Sequence, residues 1–179
     1  MKKKLFLPVL ILVAVLFLSG CYHTETTFDI NENGKAKVDM LVQANEIIAG
    51  DEVNTAMWGL INSFPELQNN YTITTKNKTI DYTDYIIYNL QSKEKFDIKN
   101  MNNISFSKDN DKYRFEMEIP KLITDTNESN KNDVMFVIKV NLPKEIDMAN
   151  SSNYNNKQVT WKLTREQLSK GLTLKAFTK

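Results

Sequence analysis

The 179-residue chain holds few side chains whose types and spacing could do chemistry. It has one cysteine, Cys21, and one histidine, His23, placed two residues apart near the N-terminus. A Ser/His/Asp arrangement elsewhere in the chain therefore has no base to draw on. A single cysteine also rules out an internal disulfide and a zinc site built of cysteines. No G-x-S-x-G, P-loop or G-x-G-x-x-G motif occurs. Glu116 and Glu118 would share one face of a strand about 7 Å apart, a separation at which paired carboxylates can serve a glycosidase. Arg114 falls on the same face, so a solvated strand surface accounts for them better. Asp29-Ile30-Asn31-Glu32-Asn33-Gly34 matches the first half of a calcium loop, but Met40 stands where a bidentate glutamate is needed. Asp109 and Asp111 fit less well, with Arg114 in the glycine place and Pro120 in the glutamate place. No metal and no cofactor is expected. The remaining candidates are aromatic. Trp58, Tyr82, Tyr85 and Tyr88 could line a groove for sugar or lipid, although ordinary core and sheet packing accounts for them better.

Cys21 gains meaning from what precedes it. Lys2, Lys3 and Lys4 form a charged start, Leu5 through Leu18 an apolar run, and Ser19-Gly20 a pair of small residues. The apolar run falls short of the roughly 20 residues that span a bilayer and has the form of a secretory signal. Its end, Leu18-Ser19-Gly20-Cys21, resembles the lipobox of bacterial lipoproteins. That resemblance implies cleavage before Cys21 and a thioether-linked diacylglycerol on it, with palmitate-type acyl chains. The membrane is then a partner, and the protein is held on the outer face of the cell membrane. Two acyl chains are enough for stable anchoring. The expected organisation is a signal peptide over 1–20 and one extracytoplasmic domain over 21–179.

Removing residues 1–20 from the 179 leaves 159, enough for one domain with a real core. The chain has 23 basic and 22 acidic residues, and three of the basic ones lie in the leader. The mature part is thus slightly acidic, which excludes the basic stripe of a nucleic-acid binder.

The mature chain opens with strand-like alternation. Phe28 and Ile30, then Ala36, Val38, Met40 and Val42, flank Asn33-Gly34, a strong two-residue hairpin signal. From Asp51 the period changes, and Val53, Met57, Leu60, Ile61 and Phe64 predict one long helix, capped by Asp51 and ended by Pro65. Strands are predicted over Tyr71–Lys76, Thr79–Leu90, Ile104–Ser107, Lys112–Ile119 and Val134–Leu142, the last central because its start is apolar on both faces. Residues 124–133 and 149–157 read as polar loops. Trp161, alternating with Val159 and Leu163, reads as core. Thr164 with Gln167 has capping-box spacing for a short helical turn closed by Gly171, before a final strand over Leu172–Thr178. The fold class expected is α+β: an antiparallel sheet with one main helix packed on a face.

The order of parts resembles the LppM-type lipoprotein domain of bacteria. The residues that carry the likeness are the Leu18–Cys21 lipobox, the Asn33-Gly34 hairpin with the helix after it, Val140-Asn141-Leu142-Pro143-Lys144-Glu145-Ile146, and Val159-Thr160-Trp161-Lys162-Leu163. It implies an α+β domain outside the membrane and, as proposed for some members, binding of glycolipid or phospholipid. The loop before the Val159-Thr160-Trp161 strand departs from the pattern, with Asn and Lys where glycines are frequent. Two function classes follow. The first is a non-enzymatic, membrane-anchored lipoprotein whose domain binds a lipid or glycolipid. The second is an envelope adaptor that meets a protein partner through loops 124–133 and 149–157. An unusual hydrolase ranks third.

Overall fold

In the computed structural model, the described residues are 22–45, 65–101, 103–124 and 128–179, together with positions 55, 58, 59 and 62. They form twelve strands and two short helices. In chain order these are β1 (Tyr22–Ile30), β2 (Lys35–Asn45), α1 (Pro65–Asn70), β3 (Tyr71–Ile80), β4 (Thr83–Ser92) and β5 (Phe96–Asp97). Then follow β6 (Ile104–Asp109), β7 (Lys112–Ile119), β8 (Val134–Asn141), β9 (Ile146–Ala149), β10 (Asn153–Asn155), β11 (Gln158–Thr164), α2 (Arg165–Lys170) and β12 (Leu172–Thr178).

The strands make two sheets. The first has eight strands, in the order β10-β11-β8-β1-β2-β4-β3 with β5 continuing against β2; the second has four, in the order β6-β7-β12-β9. All pairs are antiparallel except β1 with β8, where Thr24 lies beside Phe136 and Phe28 beside Val140. Alternation decides the core. Phe28 and Ile30 of β1, Val38, Met40 and Val42 of β2, and Tyr88 and Leu90 of β4 are buried. Tyr113, Phe115 and Met117 of β7, with Leu174 and Ala176 of β12, are buried in the same hydrophobic cluster. The rings of Phe115 and Trp161 meet across the two sheets, 6.2 Å apart. This is sheet on sheet, each covering the other's apolar face.

The expected α+β class with one main packed helix is therefore incorrect for the described residues. Both helices are six residues long. The strand alternation that suggested one half-buried sheet supplies two apolar faces, and they bury each other. The apolar stripe of the predicted helix, Val53, Met57, Leu60, Ile61 and Phe64, lies outside the described residues; Thr55, Trp58, Gly59 and Asn62 are helical. Pro65 opens α1 rather than simply ending a helix, as suits a residue with no N–H to leave unsatisfied in a first turn.

Other expectations are met. β8 is central, between β11 and β1. Trp161 is buried with Val159 and Leu163. Thr164 caps α2 in a full capping box with Gln167, and Gly171 follows at φ 75°. Two turns differ from the sequence reading. The β1–β2 connection is a three-residue loop, in which Asn31 N–H donates to Lys35 O (3.0 Å) and Gly34 N–H to Asn31 O (2.9 Å). Only Gly34, at φ 77°, takes the left-handed form, which matches a type I turn with a glycine bulge rather than a two-residue turn. The second difference is in the predicted strand Thr79–Leu90. It turns back on itself at Asp81 and Tyr82, whose φ angles are 48° and 63°. Finally, the 149–157 loop contains β10, which pairs with β11 through Tyr154 and Val159.

Candidate functional site

The anchor position Cys21 and the lipobox residues Leu18, Ser19 and Gly20 lie outside the described residues. The strand they lead into does not. β1 begins at Tyr22, the residue after Cys21, and runs nine residues to Ile30. No helix among the described residues is long and apolar enough to cross a membrane.

At the far end of β1 the ends of three strands and two turns enclose an open groove of about 600 Å³. Asp29, Asn31 and Glu32 come from the end of β1 and its turn, Asn141 from the end of β8, and Asn155, Asn156, Lys157 and Gln158 from the β10–β11 turn. Hydrogen bonds fix this wall. Gln158 Nε2 donates to Asn141 Oδ1 at 2.8 Å. Leu142 N–H donates to Lys157 O at 2.8 Å and Ile146 N–H to Asn156 O at 2.6 Å, which holds the β10–β11 turn over the end of β8. Asn156 sits at φ 40°, one of the four residues other than glycine with positive φ among those described. The Asn31 carboxamide oxygen accepts from Asn33 N–H and Lys35 N–H, both at 3.0 Å, and so shapes the turn. The half-match to a calcium loop that begins at Asp29 is thus a hairpin turn, with the Asx turn of Asn31 at the groove's edge. Among the described residues no group of three or more His, Cys, Asp or Glu side chains could hold a metal. Carboxylates, carboxamides and one ammonium group stand beside Ile30, Leu142 and Pro143 around this shallow volume, which suits a ligand with hydroxyl or amide groups on an apolar frame.

The aromatic candidates do not assemble. Tyr88 is wholly buried in the sandwich core. Tyr85 lies on the opposite face of β4, beside Asn45 on one side and Lys78 on the other. Tyr82 is fully exposed in the β3–β4 turn, and Trp58 is exposed on its helical segment. The three tyrosines are three residues apart in sequence, and an odd offset on a strand reverses the face.

Glu116 lies on the outer face of β7. It accepts from Arg114 Nη2 at 2.7 Å and faces Lys175 Nζ at 3.2 Å. The hydrogen bond from Arg114, then that from Lys175, holds its carboxyl below the usual carboxylate range. Glu118 is exposed on the same strand. A raised carboxyl pKa of the kind a glycosidase acid needs is the opposite of this arrangement. His23 pairs across the sheet with Gln43.

No family model matches the chain, and no curated protein matches it. Among solved structures it is similar to the folded domain of the Mycobacterium tuberculosis LppM protein, determined by NMR. The two share 14% identity at a TM-score of 0.48, over 89% of this chain and 90% of that one.

Proposed function

We propose that the chain is a membrane-anchored lipoprotein whose β-sandwich is a non-enzymatic extracytoplasmic binding module. The sequence before Tyr22 supports the anchor, through the lipobox-like Leu18–Cys21 and its place at the end of an apolar leader. The groove supports binding and defines what fits. Its lining sets the polar side chains of Asp29, Glu32, Asn141, Asn155, Asn156, Lys157 and Gln158 beside Ile30, Leu142 and Pro143, a mixture that suits the hydroxyl edges and apolar ring faces of a glycan chain or sugar headgroup rather than acyl chains. The observation that carries this reading is the position of anchor and groove at opposite ends of β1. Eight residue steps separate Tyr22 from Ile30, about 27 Å at strand rise, so the groove faces away from the anchoring membrane.

The test is a titration of the full, processed protein in detergent with soluble glycan oligomers, read by the side-chain amide signals of Asn141, Asn155, Asn156 and Gln158. Shifts confined to these amides are expected, and they should disappear in Gln158→Ala. Unmoved amides across charged and neutral glycans would overturn the ligand class. The second reading, a protein adaptor, draws on the same β10–β11 turn, which stands at the surface. A photo-cross-linker at Asn156 that repeatedly captures one envelope protein in cells, with no glycan response, would favour it.

A further inference from the structure

The β3–β4 hairpin is built unlike the rest of the sandwich. Rung by rung, β1, β2, β4 and β3 align at Tyr22, Ala44, Ile86 and Asn77. β2 ends one residue later at Asn45, beside Tyr85. β3 and β4 continue alone, through Thr79–Asp84 to Ile80–Thr83, and close over Asp81 and Tyr82. The last rung stands three residues beyond the Tyr22 rung, about 10 Å along the strand. Among the described residues no strand pairs with β4 beyond Asn45, and the projecting part loses the alternation seen elsewhere. Thr74 to Thr79 are exposed on both faces.

The hairpin points the same way as the anchor. β1 starts at Tyr22, the residue that follows Cys21 in sequence, on the rung beyond which the hairpin projects. The strand faces differ in chemistry. Lys76, Lys78, Ile80 and Tyr85 alternate on one face, whereas Asp84 lies on the other and accepts from Thr79 Oγ1 at 2.6 Å, and Asp81 adds a second carboxylate at the turn beside Tyr82. At the tip stands Tyr82, fully exposed and in the left-handed conformation that side-chain-bearing residues rarely adopt. Val134, an exposed apolar residue, opens β8 two steps before Phe136, which pairs with Thr24, and so lies at the same end of the sheet.

We propose that this hairpin is a second membrane contact, which seats the tip in the headgroup layer of the bilayer that holds the lipid on Cys21. The inference rests on the anchored-lipoprotein reading. Tyr is suited to the membrane–water boundary, with an apolar ring and a hydroxyl that stays wet. Lys76 and Lys78 reach anionic phosphates while their stems and Ile80 lie against the apolar boundary. The tether and the hairpin together would fix the orientation of the sandwich, so that the polar groove at the other end of β1 faces outward.

The experiment uses the full chain, matured in a bacterial host and reconstituted in vesicles of phosphatidylethanolamine and phosphatidylglycerol. Intact mass confirms the lipid on Cys21. Because that thiol is then occupied, Asp81→Cys supplies one labelling site beside Tyr82, and Asn33→Cys supplies a control at the opposite end of β1. Thr83→Cys is a second probe should Asp81→Cys not fold. A polarity-sensitive fluorophore at position 81 or 83 should be quenched by headgroup-nitroxide lipids several-fold more than at 33. Adding Lys76→Gln and Lys78→Gln should reduce that quenching. Equal quenching at both ends, with Cys21 lipidated, would overturn the hairpin contact and leave the anchor intact. A Cys21 without lipid and a protein shed from the membrane would overturn the anchor itself. A probe at 81 shielded from lipid by a cross-linkable protein would also overturn the proposal.

Discussion

Trp161 of β11, in the large sheet, donates its indole N–H at 3.0 Å to the side-chain oxygen of Asn150, which follows β9 of the small sheet. The same oxygen accepts the backbone N–H of Lys175 at 2.8 Å, and the Asn150 amide donates to Thr173 O at 2.7 Å. One carboxamide thus ties β11 of the large sheet to β12 of the small one. Its geometry also fixes the orientation of the ring that packs on Phe115. Replacing Asn150 by Ala leaves a half-buried indole N–H and a backbone N–H without their acceptor, and should cost about 1–3 kcal/mol. Urea unfolding followed by Trp fluorescence measures it. An unchanged midpoint would show that water substitutes fully for the carboxamide.

Gly34 should tolerate no side chain. Its φ of 77° is already unfavourable for other residues, and a Cβ there would lie 3.0 Å from Lys99 Cε and 3.1 Å from Phe106 Cδ1. Gly34→Ala is expected to destabilise by about 1–3 kcal/mol, from the backbone conformation and the contact with Phe106. Gly34→Asn, which accepts positive φ more readily, meets the same contact, so thermal melts of both variants separate the two causes.

Acid should weaken the outer face of the small sheet. Glu116 has a folded pKa held below its ordinary value of 4.5, first by the hydrogen bond from Arg114. The stability it contributes is present above the unfolded value and is lost as pH falls through the folded one. Glu145, beside Lys179, and Glu166, beside Lys170, act in the same direction. Melting temperature should be level near neutrality and fall below about pH 5. Glu116→Gln should flatten part of that fall and leave the neutral value nearly unchanged, since the group is at the surface.

Cys21→Ala should block lipid attachment and cleavage by the type II signal peptidase, so the protein keeps residues 1–20. Mass spectrometry of the membrane fraction checks this. A variant that still begins at residue 21 and remains membrane-bound would sink the lipoprotein reading.

What could be read from the chain, and what could not, separates along one physical line. Local rules worked where the signal was local. The Thr164–Gln167 box, the glycine after Lys170 and the buried alternation around Trp161 depend on neighbours in sequence. The apolar start of β8 marked a strand covered on both faces. The fold class failed because the same alternation serves one sheet under a helix or two sheets face to face, and nothing local chooses between them. The Asp81–Tyr82 turn was missed because only Asp81 is a usual carrier of positive φ, while Tyr82 and its neighbours read as strand; the pairing of Ile80 with Thr83 reveals it. The groove was beyond reach for another reason. Asp29, Asn141 and Gln158 are far apart in sequence and meet because β1 lies beside β8 and β8 beside β11. By contrast, the odd spacing of Tyr85 and Tyr88 already places them on opposite faces of one strand.

The place of β1 has a mechanical consequence. The strand that continues from Cys21 is not at a sheet edge but between β2 and β8, and Glu25 of β1 is bound to Lys139 of β8 at 2.8 Å. A pull on the N-terminus, from a membrane that flows or a ligand that drags, loads two ladders in shear along their length. An edge strand would instead be peeled away one rung at a time. The fold can therefore bear tension applied where β1 begins, at Tyr22.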